Sequence, residues 1–138
     1  MGELCAGTAS ARFWKDVFVS TSAAHASAFY SEILHHQEVW TVRDANGFPA
    51  PAGPDGQRSM PFWSRPSRVE RIVASVPDYR DFDVVSLPLQ QWRSNWLPGL
   101  QGDGILVGLN WSGTRATGFD VSPDAVLEAL AFLERAED

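Results

Sequence analysis

The chain has 138 residues, 44% of them hydrophobic and 20% charged, with a formal net charge of -6 at pH 7. That length and apolar content suit one compact domain with its own core. The acidic total excludes generic binding to nucleic acid or anionic lipid, which both call for a cationic surface. The single cysteine, Cys5, excludes an internal disulfide and a multi-cysteine zinc site, and it fits a reducing compartment.

The first twenty residues, MGELCAGTASARFWKDVFVS, place Glu3 where a secretory signal carries positive charge. Their apolar residues never gather into a continuous run. A myristoylation pattern wants Ser or Thr at position six and meets Ala6. No stretch approaches the roughly 18 apolar residues of a membrane span. Residues 1–20 are expected to form an N-terminal extension and 21–138 a single domain, soluble and cytoplasmic.

From Ser22 to His36, SAAHASAFYSEILHH is rich in helix formers, and Ala26, Phe29, Tyr30, Ile33 and Leu34 recur at helical spacing. Thr21 or Ser22 can cap the first turn. EVWTVRD then alternates as a strand does and stops at Asn46-Gly47, residues that supply positive φ in tight turns, which predicts the start of a hairpin. The return, FPAPAGPDG, carries Pro49 and Pro51 two apart, so both would withhold an N–H from the same neighbour, and it should be irregular or lie at an edge. RSMPFW reads as a short strand. SRPSRVERIVASV reads as a helix with Ser64 as cap, Pro66 in its first turn and Val69, Ile72 and Val73 inward.

Next come the strand FDVVSL, the helix PLQQWRSNWL closed by Pro98-Gly99, and the strand ILVGLNW. The last is almost wholly apolar, the mark of a strand covered on both faces and placed at the sheet centre. A short strand, TGFDV, precedes a final helix whose start, Ser122-Pro123-Asp124, combines N-cap, N1 proline and first-turn acid, with Val126, Leu127, Leu130 and Leu133 inward. The expected fold is α+β: one mixed, mainly antiparallel sheet of about five strands with about four helices packed on it.

Catalytic patterns are sparse. His35 and His36 are adjacent, so on a helix they diverge by about 100° and cannot share a metal ion, and His25 lies ten residues away. Cys5 has no neighbouring base, and the glycines at 99, 102 and 104 precede a strand, whereas phosphate cradles precede a helix. Asp44-Ala45-Asn46-Gly47 echoes a calcium loop without its ligand series, and a hairpin turn explains it. No cofactor and no metal are expected, and no catalytic residue is assigned.

Two surfaces are candidates for binding. Ten of the eleven basic residues are arginine. Arg65, Arg68 and Arg71 step by three along one helix beside Trp63, a set able to grip a carboxylate or phosphate. The second surface is aromatic: Trp92 and Trp96 stand four apart on one helix, and Asp103, Asn110 and Trp111 follow as a polar-plus-aromatic set that could rim a groove.

The segments EVWTVRDANGFPAP, MPFWSRPSRVERI, SLPLQQWRSNWLPGLQGDGILVGLNW and GFDVSPDAVLEAL, in this order and spacing, resemble the bacterial family of domain of unknown function 2750. The resemblance runs from about the first helix to the C-terminus and is most specific over Trp96 to Trp111. More distantly, the order of elements is similar to the N-terminal domain of the enhanced-serine-sensitivity type. The resemblance implies the fold and a small bacterial cytosolic protein, and brings no catalytic residues with it.

Acidic charge, tryptophan content and absent catalytic patterning together lead us to expect a non-catalytic protein-binding module, of immunity or adaptor type, that meets a basic partner through Trp92, Trp96, Asp103, Asn110 and Trp111. The alternative is a binder or enzyme that takes a small anionic ligand on Trp63, Arg65, Arg68 and Arg71. An exposed Trp92/Trp96 stripe would favour the first, and a concave pocket joining the arginines to Trp63 or Trp111 the second.

Overall fold

The computed structural model describes residues 26–113 and 116–137. The expected extension at residues 1–20, Cys5, His25 and the proposed caps Thr21 and Ser22 lie outside them. Helix α1 (26–36) buries Ala26, Phe29 and Ile33 and half-buries Tyr30 and Leu34, the face its periodicity marks out. It ends without glycine. Gln37 takes φ 60°, its N–H bonds Ile33 O at 2.8 Å and its side-chain amide reaches Leu34 O at 2.7 Å, so two orphan carbonyls are satisfied.

Strand β1 (Glu38–Arg43) leads into the Asp44–Gly47 turn, closed by backbone bonds in both directions and by Asn46 N–H on Asp44 Oδ1. The turn does not make a hairpin of neighbours. Residues 48–58 run irregularly, as Pro49 and Pro51 require. β1 pairs instead with the later β3 (Asp83–Pro88), antiparallel, in a register from Glu38 opposite Pro88 to Arg43 opposite Asp83.

The second sheet has three strands: β2 (Ser59–Phe62) parallel to β4 (Leu106–Ser112), and β5 (Thr117–Val121) antiparallel to β4 on its other side. The single sheet expected from the pattern is therefore two. Pro61 gives the reason. Its carbonyl faces β1, where the Thr41 hydroxyl donates to it at 2.9 Å, so the nitrogen on that edge has no hydrogen to give. The link between the sheets shrinks to one backbone pair, Trp40 with Trp63, bonded both ways at 2.8 and 2.7 Å.

Helix α2 (Pro66–Ser75) begins on Pro66, as expected, but Ser64 does not cap it: Arg65 is the N-cap and makes no side-chain cap bond. The Ser64 hydroxyl is engaged elsewhere, as described below. A short 3-10 turn (Pro77–Tyr79) leads to β3. From β3 the chain enters α3 (Leu89–Gln91), which passes through a π-helical turn (Trp92–Trp96) into α4 (Leu97–Asp103). Pro98-Gly99 therefore does not close the helix. In the wide turn Leu97 N–H reaches back to Trp92 O, five residues away, and Pro98 falls at the start of the next α turn, where no N–H is called for. The same turn brings Trp92 and Leu97 onto the inner side, both with no exposed surface. Gly104, at φ 70°, ends α4.

Helix α5 (Pro123–Glu137) starts as predicted: Ser122 Oγ accepts from Ala125 N–H at 3.1 Å, and Val126 and Leu130 are fully buried. One core lies between the three-stranded sheet and helices α1, α3–α4 and α5, built on Phe29, Ile33, Phe62, Trp92, Val107 and Leu109. A second lies on the opposite face beneath α2 and the 3-10 turn, built on Val42, Trp63, Val69, Ile72, Tyr79 and Trp111. β4 is thus covered on both faces, as its near-continuous apolar run requires.

Candidate functional site

The end of β4 lies between two clefts and borders both. In an even strand Val107, Leu109 and Trp111 would share a face. Here the pairing with β5 shifts register between Leu109 and Ser112, and Asn110 takes φ 50°. This bulge turns Trp111 to the other face, so its indole lies across Gly108 and Gly118. A Cβ at Gly118 would stand 3.0 Å from Trp111 Cδ1, and one at Gly108 would enter the indole itself. Two glycines make room for one ring.

The ring is then locked. Trp111 Nε1–H donates to Asp120 Oδ1 at 2.8 Å, and the other carboxylate oxygen accepts from Ser59 Oγ at 3.0 Å. From below, Trp63 Nε1–H donates to Trp111 O at 2.8 Å. Asn110 pays for its strained φ with two bonds to Ser64: its Oδ1 accepts from Ser64 N–H at 2.9 Å and its Nδ2 donates to Ser64 Oγ at 3.0 Å. Ser64 and Asn110 are 1% and 2% exposed. The Ser64 hydroxyl donates to Glu32 Oε1, and Arg68 holds Glu32 with Nε and Nη2 at 3.1 Å each. A buried hydroxyl in that position is a strut between α1, β4 and α2, closed to any reacting carbonyl.

Burial alone would raise the Glu32 pKa. Hydrogen bonds from Arg68 and Ser64, with the charges of Arg68 and Arg65, outweigh it and hold the carboxyl below its ordinary 4.5. A carboxyl lowered in the folded state stabilises above its unfolded pKa and loses that contribution as pH falls through the folded one. Glu32→Gln is therefore expected to be about 1–2 kcal/mol less stable than the parent at pH 7, with the gap closing below about pH 4.5. Urea midpoints at pH 7 and pH 3 measure this, and an undiminished gap at pH 3 would disprove it.

Above the Trp111 indole opens a cleft of about 780 Å³. One wall is the proline loop with Pro49, Pro51 and Pro54, and the other is the 77–82 segment with Tyr79 and Phe82. The charged groups among its described lining residues are Asp55, Asp78 and Asp120. Burial, and secondarily the Asp78 charge, raises the Tyr79 pKa, so its hydroxyl stays a proton donor. On the α2 side, a smaller pocket of about 280 Å³ is lined by Arg68, Arg71, Ser112 and Gly113, and Trp111 borders this one too. Among the described residues no group of His, Cys, Asp and Glu could hold a metal ion, and no helix is long and apolar enough to cross a membrane.

The family model for a protein of unknown function, DUF2750, matches residues 26–130, which span both cores, both clefts and all five strands. The chain belongs to the DUF2750 family. No curated protein and no solved structure matches it, and the likeness to the enhanced-serine-sensitivity N-terminal domain finds no support in these comparisons.

In this DUF2750 member the residues singled out by sequence do not form one surface. Trp92 is buried against Phe29 and Phe62, and Trp96 packs half-buried on Phe48 and Phe62, so no tryptophan stripe faces solvent. Asp103 is exposed at the end of α4 and does not line either cleft. Asn110, its amide bonded to Ser64, lines the smaller pocket, and Trp111 alone of the five borders both clefts. Of the anion set, Trp63 is fully buried, Arg65 is exposed at the α2 start, Arg68 holds Glu32, and Arg71 lines the smaller pocket. Reading along the sequence missed Asp78, Tyr79, Phe82 and the proline loop as cleft walls. The signal available was the two-residue step from Gly118 to Asp120, which puts an acid beside a glycine on one strand face.

Proposed function

We propose that this DUF2750 protein is a non-catalytic binding module whose larger cleft receives a basic segment of a partner protein. The observation that carries the reading is the composition of that cleft: three carboxylates, Asp55, Asp78 and Asp120, set among Trp111, Tyr79, Phe82 and three prolines. A guanidinium or ammonium group gains from both parts, by charge-assisted hydrogen bonds to the acids and by cation–π contact with the rings. The acidic total of -6 draws such a partner in. The Trp92/Trp96 stripe, expected to serve as the contact, has no part in this reading. An immunity or adaptor role in the bacterial cytosol is the setting we favour.

Peptide display against the full chain tests it. Enriched peptides are expected to carry Arg or Lys next to an apolar residue, and Asp55→Asn/Asp78→Asn is expected to bind them about tenfold or more weakly. Enrichment of peptides lacking a basic residue, or equal retention by the double variant, would defeat the reading.

A further inference from the structure

The smaller pocket is chemically the inverse of the larger. Its α2 wall comes from Arg68, Arg71, Ile72 and Ser75, positions three and four apart that turn one stripe of the helix toward the end of β4. Facing them are Ser112 and Gly113, where the chain leaves the strand with Gly113 at φ 84°. The stripe that begins at Arg65 carries three guanidinium groups, and among the described residues Glu32 answers one of them. A cationic surplus is thus concentrated on a molecule whose total charge is -6.

The Glu32 clamp also sets geometry. Arg68 gives Glu32 one hydrogen from Nε and one from Nη2. A guanidinium has five N–H donors in a rigid fork, so the remaining ones are held in a constant direction before any ligand arrives. Asn110 contributes wall rather than ligand contacts, because its amide is bonded to Ser64 through both its oxygen and its nitrogen. The volume, about 280 Å³, admits a small group and falls short of the range that holds a nucleotide or other large ligand.

We infer that the pocket between α2 and the end of β4 is a second binding site, for a small oxyanion, the phosphate or carboxylate group of a low-molecular-weight ligand, held by Arg71 and by the free edge of Arg68. It stands apart from the basic-segment reading of the larger cleft and touches it through Trp111, which borders both.

Nitrogen-15 NMR of the full chain tests the inference, with inorganic phosphate and malonate titrated separately while sodium chloride keeps ionic strength constant. The Trp111 indole N–H and the Asn110 side-chain amide are expected to shift saturably. Arg71→Gln is expected to weaken the binding about tenfold or more, whereas Asp103→Asn, which lines neither cleft, leaves it unchanged. Saturation with phosphate alone identifies a phosphoryl ligand, with malonate alone a carboxylate, and with both a general oxyanion site. Shifts linear in both anions, or an affinity equal in Arg71→Gln, overturn the inference. Neither result bears on peptide binding by Asp55 and Asp78, so the two readings fail separately.

Discussion

Gly108→Ala is expected to lower stability by about 2–3 kcal/mol, equivalent to roughly 6–12 °C in Tm for a domain of this size, although it adds one methyl group to a strand. Glycine in a strand interior is ordinarily a weakness that alanine would mend. Here the added Cβ would overlap Trp111 Cε2 and Nε1 and stand 2.6 Å from Cζ2. The indole cannot retreat easily, because Asp120 holds its nitrogen and Trp63 holds its backbone carbonyl. Displacing it also removes the floor of the larger cleft. A double-mutant cycle separates this account from a plain loss of strand quality: Trp111→Ala should absorb most of the Gly108→Ala cost, giving coupling well above the few tenths of a kcal/mol seen for independent sites. Additive effects in urea unfolding would sink it.

Trp63→Ala is expected to cost about 3–5 kcal/mol, a large share of the 5–15 kcal/mol typical of a domain. Trp63 has no exposed surface, fills the space under α2 with an edge-on contact to Tyr79, and sits where the two sheets meet. The more discriminating comparison uses phenylalanine. Trp63→Phe removes the donor to Trp111 O and leaves a buried carbonyl short of a partner. Trp92→Phe, at an equally buried position, removes an indole N–H that has no partner among the described residues. Both substitutions lose similar ring area, so Trp63→Phe should be the costlier by about 1 kcal/mol or more. Equal costs, or the reverse order, would show that the hydrogen bond to Trp111 contributes nothing net.

Much of the secondary structure was legible along the chain. The apolar period of residues 26–36, the Ser122-Pro123-Asp124 start of α5 and the unbroken aliphatic run of β4 each express a rule acting within a few residues, and each element formed where that rule placed it. Where the reading went astray, a distant partner had overridden a local signal. Ser64 has the chemistry of a helix cap, yet Asn110 and Glu32 claim it. Pro98-Gly99 has the chemistry of a helix stop, yet a π turn makes Pro98 the beginning of another helical stretch. Tryptophans at 92 and 96 have the spacing of a surface stripe, yet Phe29, Phe48 and Phe62 cover them. The candidate site was the least legible part, since its walls come from residues 49–59, 78–82, 106, 111 and 116–120, which no spacing rule connects.

By itself the sequence determined the charge of the molecule, the kind and approximate extent of its elements, and which strand must be covered on both faces, because periodicity, turn chemistry and composition act locally. Tertiary structure alone decided that β1 pairs with β3, that Pro61 divides the strands into two sheets, and that the bulge at Asn110 sends Trp111 to the face opposite Val107 and Leu109. The physical reason is common to all three. Each depends on which backbone donors and side-chain volumes meet across space, and a residue's own neighbours in the chain carry no record of that.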